Sequence, residues 1–127
     1  MSFAAAAAPT LLLGTCVLLV SLHHPLTLAK RLATIDQLSG GRLLVGVGIG
    51  WSRQEYAAIG VAFEQRGKLL EEHLAAMRCA WRQENVTFDG ELIKFGPVWA
   101  TPSRLPPTSH PDRRQQYCGC PTRGPYR

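Results

Sequence analysis

The chain has 127 residues, which allows one domain at most. Its formal net charge is +5, but residues 103–127 hold five arginines against one aspartate, so the preceding part of the chain is close to neutral. The composition therefore excludes a broad basic face for nucleic acid and indicates solvated positive charge in a C-terminal tail.

The four cysteines, Cys16, Cys79, Cys118 and Cys120, are irregularly spaced, and two of them stand in apolar segments. This spacing does not indicate a disulfide framework. A zinc site at Cys118, Cys120 and His110 is an alternative, but the set lacks a second ligand pair at zinc spacing. We therefore predict no metal site.

Residues 3–22 are almost wholly apolar, and this is about the length of a membrane span. Pro9 and Gly14 interrupt the run, and no basic residue precedes it as in a signal peptide. We predict the end of a helix or a frayed start at residues 4–8 and a buried strand at residues 11–20. A single membrane span is the alternative.

A helix is predicted to begin at Pro25, because proline suits the first helical position. Apolar residues then recur with helical spacing, and Gly40-Gly41 ends the helix. The members of this stripe are Leu28, Leu32, Ile35 and Leu38. Together with the strands at residues 11–20 and 43–47, the helix predicts a right-handed βαβ unit with parallel strands.

Residues 43–55 predict a buried strand, a glycine turn and a capped helix. Residues 43–47 form a near-continuous apolar run that is typical of a parallel strand. Glycines at every second position permit positive φ angles and close approach of a ligand to the backbone. They are Gly46, Gly48 and Gly50. Ser52 and Glu55 have the spacing of a capping box. The pattern is typical of the ligand-binding end of an α/β unit, with a tight turn that binds no ligand as the alternative.

Two further helices are predicted at residues 53–59 and 63–83. The second has an apolar stripe at Leu70, Leu74, Met77 and Trp81. His73 falls beside this stripe, and we interpret it as a satisfied or solvated histidine. The charged residues of this helix, Glu64, Arg66, Lys68, Glu71 and Glu72, are interpreted as a solvated face.

A β-hairpin is predicted around Asp89-Gly90, with strands at residues 86–88 and 91–95, because Asp-Gly is a strong signal for a two-residue hairpin loop. Beyond residue 102 the chain is rich in proline and arginine and has no apolar periodicity. We predict an irregular or disordered tail at residues 103–127.

Several of these segments together resemble the luciferase-like monooxygenase superfamily, and more narrowly its deazaflavin (coenzyme F420)-dependent branch. The motifs are LLLGTCVL at 11–18, HPLTLAKRLATIDQLSGGRLLVGVGIGW at 24–51, and FEQRG, AAMRCAW and FDGELIKF within 63–95. The resemblance covers residues 11 to about 102. It implies the α/β class and part of a (β/α)₈ barrel, about its third and fourth β/α units, in a partial domain at residues 1–102.

The resemblance also implies a cofactor site at the carboxyl ends of the two strands, where such barrels place their active sites. A non-prolyl cis peptide on the third strand of the family corresponds to the Cys16–Val17 bond, with Thr15 beside it. The turn after the fourth strand supplies the other contacts, at Gly48, Ile49, Gly50 and Trp51. The implied cofactor is F420, with FMN as the alternative, and the implied reaction is hydride transfer or monooxygenation of a small-molecule substrate.

The resemblance leaves much of the barrel unmatched, including the strands that supply catalytic acids and bases in the family. Catalytic residues are therefore not assigned, and we interpret the chain as a truncated form in which a shifted reading frame or shortened gene replaced the strand expected after Pro102. A cytoplasmic location is expected, with a homo-oligomer or a completing chain as partner. One alternative is a non-catalytic fragment that self-associates through exposed sheet edges. Another is a dinucleotide fold on GVGIG, although the glycines run G-x-G-x-G instead of G-x-G-x-x-G.

Overall fold

The computed structural model describes residues 1–102, and the predicted irregular tail lies outside the described residues. The elements are, in chain order, α1 (Ser2–Ala7), β1 (Leu13–Leu18), a 3₁₀ turn (Val20–Leu22), α2 (Pro25–Leu38), β2 (Leu43–Val47), α3 (Arg53–Ala58), a 3₁₀ turn (Phe63–Gln65), α4 (Arg66–Arg82), β3 (Asn85–Asp89) and β4 (Lys94–Trp99).

Strands β1 and β2 lie parallel and side by side, with α2 as their connection, so the predicted parallel βαβ unit is confirmed. Helix α2 begins at Pro25 as predicted, and Gly40 and Gly41 follow its end with positive φ angles. Strand β1 is shorter than predicted. Residues 11 and 12 stay exposed ahead of it, and Val20 already belongs to a 3₁₀ turn.

One apolar core joins the parallel strands to α2 and α4. Its buried members in these elements are Leu13, Leu28, Ala29, Leu32, Leu43, Val45, Val47, Leu70, Met77 and Ala80. The predicted helical stripes thus face this core, except that Leu38, the last residue of α2, is 68% exposed. Trp81 is half-buried and links the two helices, because its Nε1 donates to the carbonyl oxygen of Ala29 at 3.0 Å.

Arg42 fastens the first helix to the sheet. Its guanidinium donates to the carbonyl oxygens of Ala5 at 2.8 Å, Ala8 at 2.6 Å and Leu11 at 2.5 Å. Its Nε donates to the carbonyl oxygen of Ser39 at 2.7 Å. The last carbonyl groups of a helix have no partner within the helix, and Arg42 satisfies two of them, at Ala5 and at the C-cap Ala8. Of the two predictions for residues 4–8, the end of a helix is confirmed and the frayed start is wrong.

The apolar N-terminal segment does not form one long helix. It is divided among α1, β1 and the first 3₁₀ turn. Over residues 1–102, the structure contains no helix with the length and apolar character that crossing a membrane requires.

The predicted hairpin exists, but its loop is longer than the two residues expected. Asp89 pairs with Lys94, which leaves residues 90–93 as the loop. The amide of Gly90 donates to the carbonyl oxygen of Ile93 at 2.8 Å, and Ile93 is buried in a second apolar cluster with Tyr56. Packing against this cluster therefore overrides the local preference of Asp-Gly for a tight turn.

Glu72 on α4 holds this loop, which corrects its interpretation as part of a solvated face. Its carboxylate accepts the amides of Glu91 at 3.2 Å, Leu92 at 2.9 Å and Ile93 at 3.0 Å. A Cβ at Gly90 would lie 2.4 Å from the same carboxylate, so only glycine leaves room for it. The hairpin is thus attached to α4 by three charge-assisted hydrogen bonds.

Replacing Glu72 by glutamine should loosen the loop, because the amide oxygen carries no full negative charge. Burial raises the pKa of Glu72, but the amides of Leu92, Ile93 and Glu91 and the charge of Lys68 together bring it below its ordinary 4.5. A pKa lowered by folding means that the carboxylate stabilises the loop above about pH 4.5 and loses this effect as the pH falls through the lowered value. We expect several-fold faster amide exchange at residues 91–93 in Glu72→Gln at neutral pH, measured by NMR.

Glu71→Gln is the matched control, since Glu71 is exposed on the same helix. It should leave the exchange of the loop amides unchanged. The difference between Glu72→Gln and wild type should shrink as the pH falls through the lowered pKa of Glu72, where the wild-type carboxylate becomes protonated. Equal loop exchange in Glu72→Gln and wild type at neutral pH would show that the carboxylate does not hold the loop.

Candidate functional site

The residues that the resemblance singles out lie where β1 and β2 end. The peptide bond between Cys16 and Val17 is cis, as the resemblance implied. It falls where the pairing of β1 with β2 shifts register, between Thr15 and Leu18. Since the carboxyl ends of parallel neighbours lie at the same edge of a sheet, this bond comes next to the glycine turn after β2.

Gly46 in β2 and Gly48 in the turn after it make room for strand β1. A Cβ at Gly46 would lie 2.2 Å from the carbonyl oxygen of Thr15, and one at Gly48 would lie 2.6 Å from Cγ2 of Val17. Two hydrogen bonds hold the strands at this distance: Thr15 Oγ1 donates to the Gly46 carbonyl at 2.8 Å, and the Gly48 amide donates to the Leu18 carbonyl at 3.0 Å. These glycines therefore serve close strand packing.

Of these three glycines, Gly50 uses the positive φ angle that glycine permits. Its φ is 75°, whereas Gly46 and Gly48 do not have positive φ. The conformation of Gly46 and Gly48 is fixed by strand pairing and by the approach of β1, which the local pattern does not reveal.

Tyr56 supports the glycine turn, although none of the sequence motifs includes it. It is fully buried on α3, and its hydroxyl donates a short hydrogen bond to the carbonyl oxygen of Ile49. Its ring also comes within 3.5 Å of where a Cβ at Gly50 would stand. The signal available in the sequence was an aromatic residue one helical turn after the predicted cap at Ser52.

Helix α3 is held at its start by side-chain contacts of Ser52 and Arg53. Ser52 Oγ accepts the amide of Glu55 at 3.3 Å, which is the serine half of the predicted capping box. Arg53 lies over the ring of Phe63 at 4.4 Å and donates to Glu64 at 2.7 Å. The hydrogen bond from Arg53 lowers the pKa of the Glu64 carboxyl. Both groups are largely exposed, so this ion pair contributes little to stability.

The outer surface of the site is apolar and open. Cys16 is exposed, Val17 is 54% exposed and Trp51 is 87% exposed. Val17 contacts Gly48 and Thr15 contacts Gly46, whereas the side chain of Ile49 packs against the main core. The seven predicted residues include no charged side chain. Such a surface suits the face of a flat, largely apolar ring and offers no cation for a phosphate.

Curated relatives match most of this chain but are much longer. An uncharacterized protein of Mycobacterium tuberculosis is 48% identical over 109 residues, which are 84% of this chain and 39% of that protein. An FMNH(2)-dependent dimethylsulfone monooxygenase of Pseudomonas fluorescens is 41% identical over 57% of this chain and 21% of its own length. An F420-dependent glucose-6-phosphate dehydrogenase of Kineococcus radiotolerans is 36% identical over 65% of this chain and 26% of its own length.

The fold is similar to that of a solved monooxygenase, RslO1 from Streptomyces bottropensis. The TM-score is 0.75 and the sequence identity 34%, over 81% of this chain and 31% of that protein. The predicted fold class is thereby confirmed: the described residues form part of a (β/α)₈ barrel. The family model described as luciferase-like monooxygenase matches residues 1–116, most of the chain and more than the resemblance covered. The chain therefore belongs to the luciferase-like monooxygenase family.

Proposed function

We propose that this chain is part of an oxidoreductase that binds F420, or alternatively FMN, at the carboxyl ends of β1 and β2. The observation that carries the proposal is the open apolar surface formed by Cys16, Val17 and Trp51 beside the close contact of Val17 with Gly48. The names of two relatives support the choice of cofactors, since one is FMNH(2)-dependent and the other F420-dependent.

In this proposal the bound cofactor supplies two-electron chemistry, which is hydride transfer for F420 and oxygen activation for reduced FMN. The residues of the chain bind and orient it. Val17 would contact the ring, Trp51 would exclude water from it, and the turn held by Tyr56 would keep backbone groups in place. Acid and base residues are not assigned, and the substrate is a small molecule.

A fluorescence titration of the purified chain with F420 and with FMN tests the proposal. Saturable binding to one of them is expected. Trp51→Ala should weaken it about tenfold, because an aromatic contact with a ring contributes about 1 kcal/mol beyond its buried area. The matched control is Trp99→Ala, which removes another exposed tryptophan, 65% exposed at the end of β4.

The control variant should bind as the wild type does. If neither cofactor binds to a folded, monodisperse chain, the proposal fails for this chain. If Trp51→Ala and Trp99→Ala bind the cofactor with equal affinity, the cofactor ring does not contact Trp51.

A second candidate function is a non-catalytic fragment that associates with itself. In the described part of the chain, β1 and β2 have only each other as hydrogen-bonded neighbours, so each presents an open edge. Leu11, Leu12 and Val17 are exposed near these edges. This function predicts concentration-dependent association without cofactor affinity, measured by size-exclusion chromatography beside the titration. A cytoplasmic location stays a prediction under either function.

A further inference from the structure

His73 is a buried polar residue that the proposed site does not use. It lies in the middle of α4 and is 4% exposed. Its Nδ1 is 2.8 Å from the carbonyl oxygen of Leu69, one turn earlier on the same helix. Its Nε2 is 2.9 Å from the carbonyl oxygen of His23, which directly follows the 3₁₀ turn after β1. The ring therefore bridges α4 to the chain that leaves β1.

This turn leads directly from the proposed cofactor site. Val17 is followed by Leu18, whose carbonyl oxygen accepts the Gly48 amide, and by Leu19, whose side chain lies 3.5 Å from where a Cβ at Gly50 would stand. The 3₁₀ turn Val20–Leu22 comes next. A change in the position of this turn would therefore displace both the end of β1 and the contacts that it makes with the glycine turn after β2.

Packing also holds the turn. Val20 is fully buried in the core, and Leu22 packs against the second apolar cluster. The hydroxyl of Ser21 is buried but has no hydrogen-bond partner among the described residues. An open groove of about 390 Å³ lies beside the turn, and His73 contributes to its lining. The bond to His73 thus adds a side-chain hydrogen bond to the packing of the turn.

We propose that His73 is a positioning residue that holds the turn after β1 against α4, and so fixes the arrangement of Val17 and Leu19 against the glycine turn. This inference rests on the proposed function for its effect on cofactor binding. The bridge itself does not depend on that function.

The two carbonyl oxygens can only accept hydrogen bonds, so a neutral ring donates to one of them and a protonated ring donates to both. Burial lowers the pKa of His73 below its ordinary 6.5 and outweighs the carbonyl groups of Leu69 and His23, which raise it. Nearby, the ring of His24 lowers this pKa and Glu72 raises it.

Two further titratable groups stand near the bridge. His23 and Lys94 line the same groove, and Lys94 is paired with Asp89 at 2.7 Å. Because burial lowers the pKa of His73, protonation of the buried ring should cost folding stability as the pH falls from 6.5 toward the lowered value, although the bond to the His23 carbonyl favours the protonated ring. A fall in pH below 6.5 should therefore lower the free energy of unfolding.

The test compares His73→Leu, which has no donor, with His73→Gln, whose amide retains one. NMR amide shifts and exchange at residues 20–23 report the turn, and fluorescence titration reports cofactor affinity. We expect His73→Leu to speed exchange several-fold at these residues and to weaken cofactor binding, and His73→Gln to restore most of both. The free energy of unfolding of the wild type should fall as the pH is lowered below 6.5, and in His73→Gln this fall should be smaller.

His24→Gln is the matched control, since His24 stands at the same turn and lines the same groove. It should keep the wild-type exchange at residues 20–23. Unchanged turn signals in His73→Leu would overturn the inference. A cofactor that binds neither wild type nor variants would remove the proposed function alone, because the turn signals test the bridge independently. Reduced stability of His73→Leu with no rescue of the exchange at residues 20–23 by His73→Gln would reduce His73 to a packing residue and also overturn it.

Discussion

Gly46→Ala is expected to abolish the stable fold. The added Cβ would lie 2.2 Å from the carbonyl oxygen of Thr15 and 3.4 Å from its carbonyl carbon. These are backbone atoms of the neighbouring strand, so no side-chain movement relieves the overlap. Strands β1 and β2 would have to separate, which also breaks the bond from Thr15 Oγ1 to the Gly46 carbonyl. We expect a loss of about 4 kcal/mol or more, comparable with the whole stability of a small domain.

Gly14→Ala is the matched control for this prediction. Gly14 belongs to the same strand pair, but a Cβ there would have no atom within 4 Å. Its free energy of unfolding should stay within about 1 kcal/mol of the wild type. Soluble yield and urea unfolding followed by circular dichroism measure both variants. Similar unfolding midpoints for Gly46→Ala and Gly14→Ala would contradict the close strand contact.

Gly48→Ala should lie between these two variants. Its Cβ would meet Cγ2 of Val17 at 2.6 Å, and this atom belongs to a side chain that is 54% exposed and able to move. The loss of stability on substitution by alanine should therefore be largest at Gly46, smaller at Gly48 and smallest at Gly14. The sequence alone does not predict this order, because it does not show which atoms lie beside each glycine.

Local pattern alone was sufficient for the elements whose signals lie within a few residues of each other. Proline at the first position, helical spacing of leucines and a closing glycine pair predicted α2. A continuous apolar run predicted β2, and its bounds at Leu43–Val47 agree with the structure. In these segments the conformational preference of each residue agrees with its place in the core, so the local sequence is sufficient to predict the secondary structure.

Two features that the local pattern missed come from contacts between residues far apart in the chain. The hairpin loop is set by Glu72, about twenty residues before it, and the conformation of Gly46 and Gly48 is set by Thr15 and Val17, about thirty residues before them. No local pattern reports such contacts. The cofactor-site residues came from the resemblance to a family, and pattern alone predicted only a ligand-binding turn or an empty one.

Tyr56→Ala should produce the second large effect, on stability and on the site together. The side chain is fully buried, packs edge-on against Phe63 with ring centroids 5.7 Å apart, and shares a cluster with Leu69 and Ile93. Truncating a buried aromatic residue to alanine removes about 3–5 kcal/mol. Because the same side chain also supports the Ile49 carbonyl, the glycine turn should lose its position even where the fold survives.

Tyr56→Phe separates the two effects, because it keeps the ring and removes only the hydroxyl that donates to Ile49. We expect it to lower the free energy of unfolding by about 1 kcal/mol and to weaken cofactor binding several-fold. Phe63→Leu is the control, since it disturbs the same cluster without touching the turn, and it should lower stability while leaving affinity unchanged. Urea unfolding measures the stability of the three variants, and fluorescence titration measures their affinity for the cofactor. If Tyr56→Phe binds the cofactor as tightly as wild type, the hydroxyl positions nothing that the cofactor contacts, and the tyrosine serves the core alone.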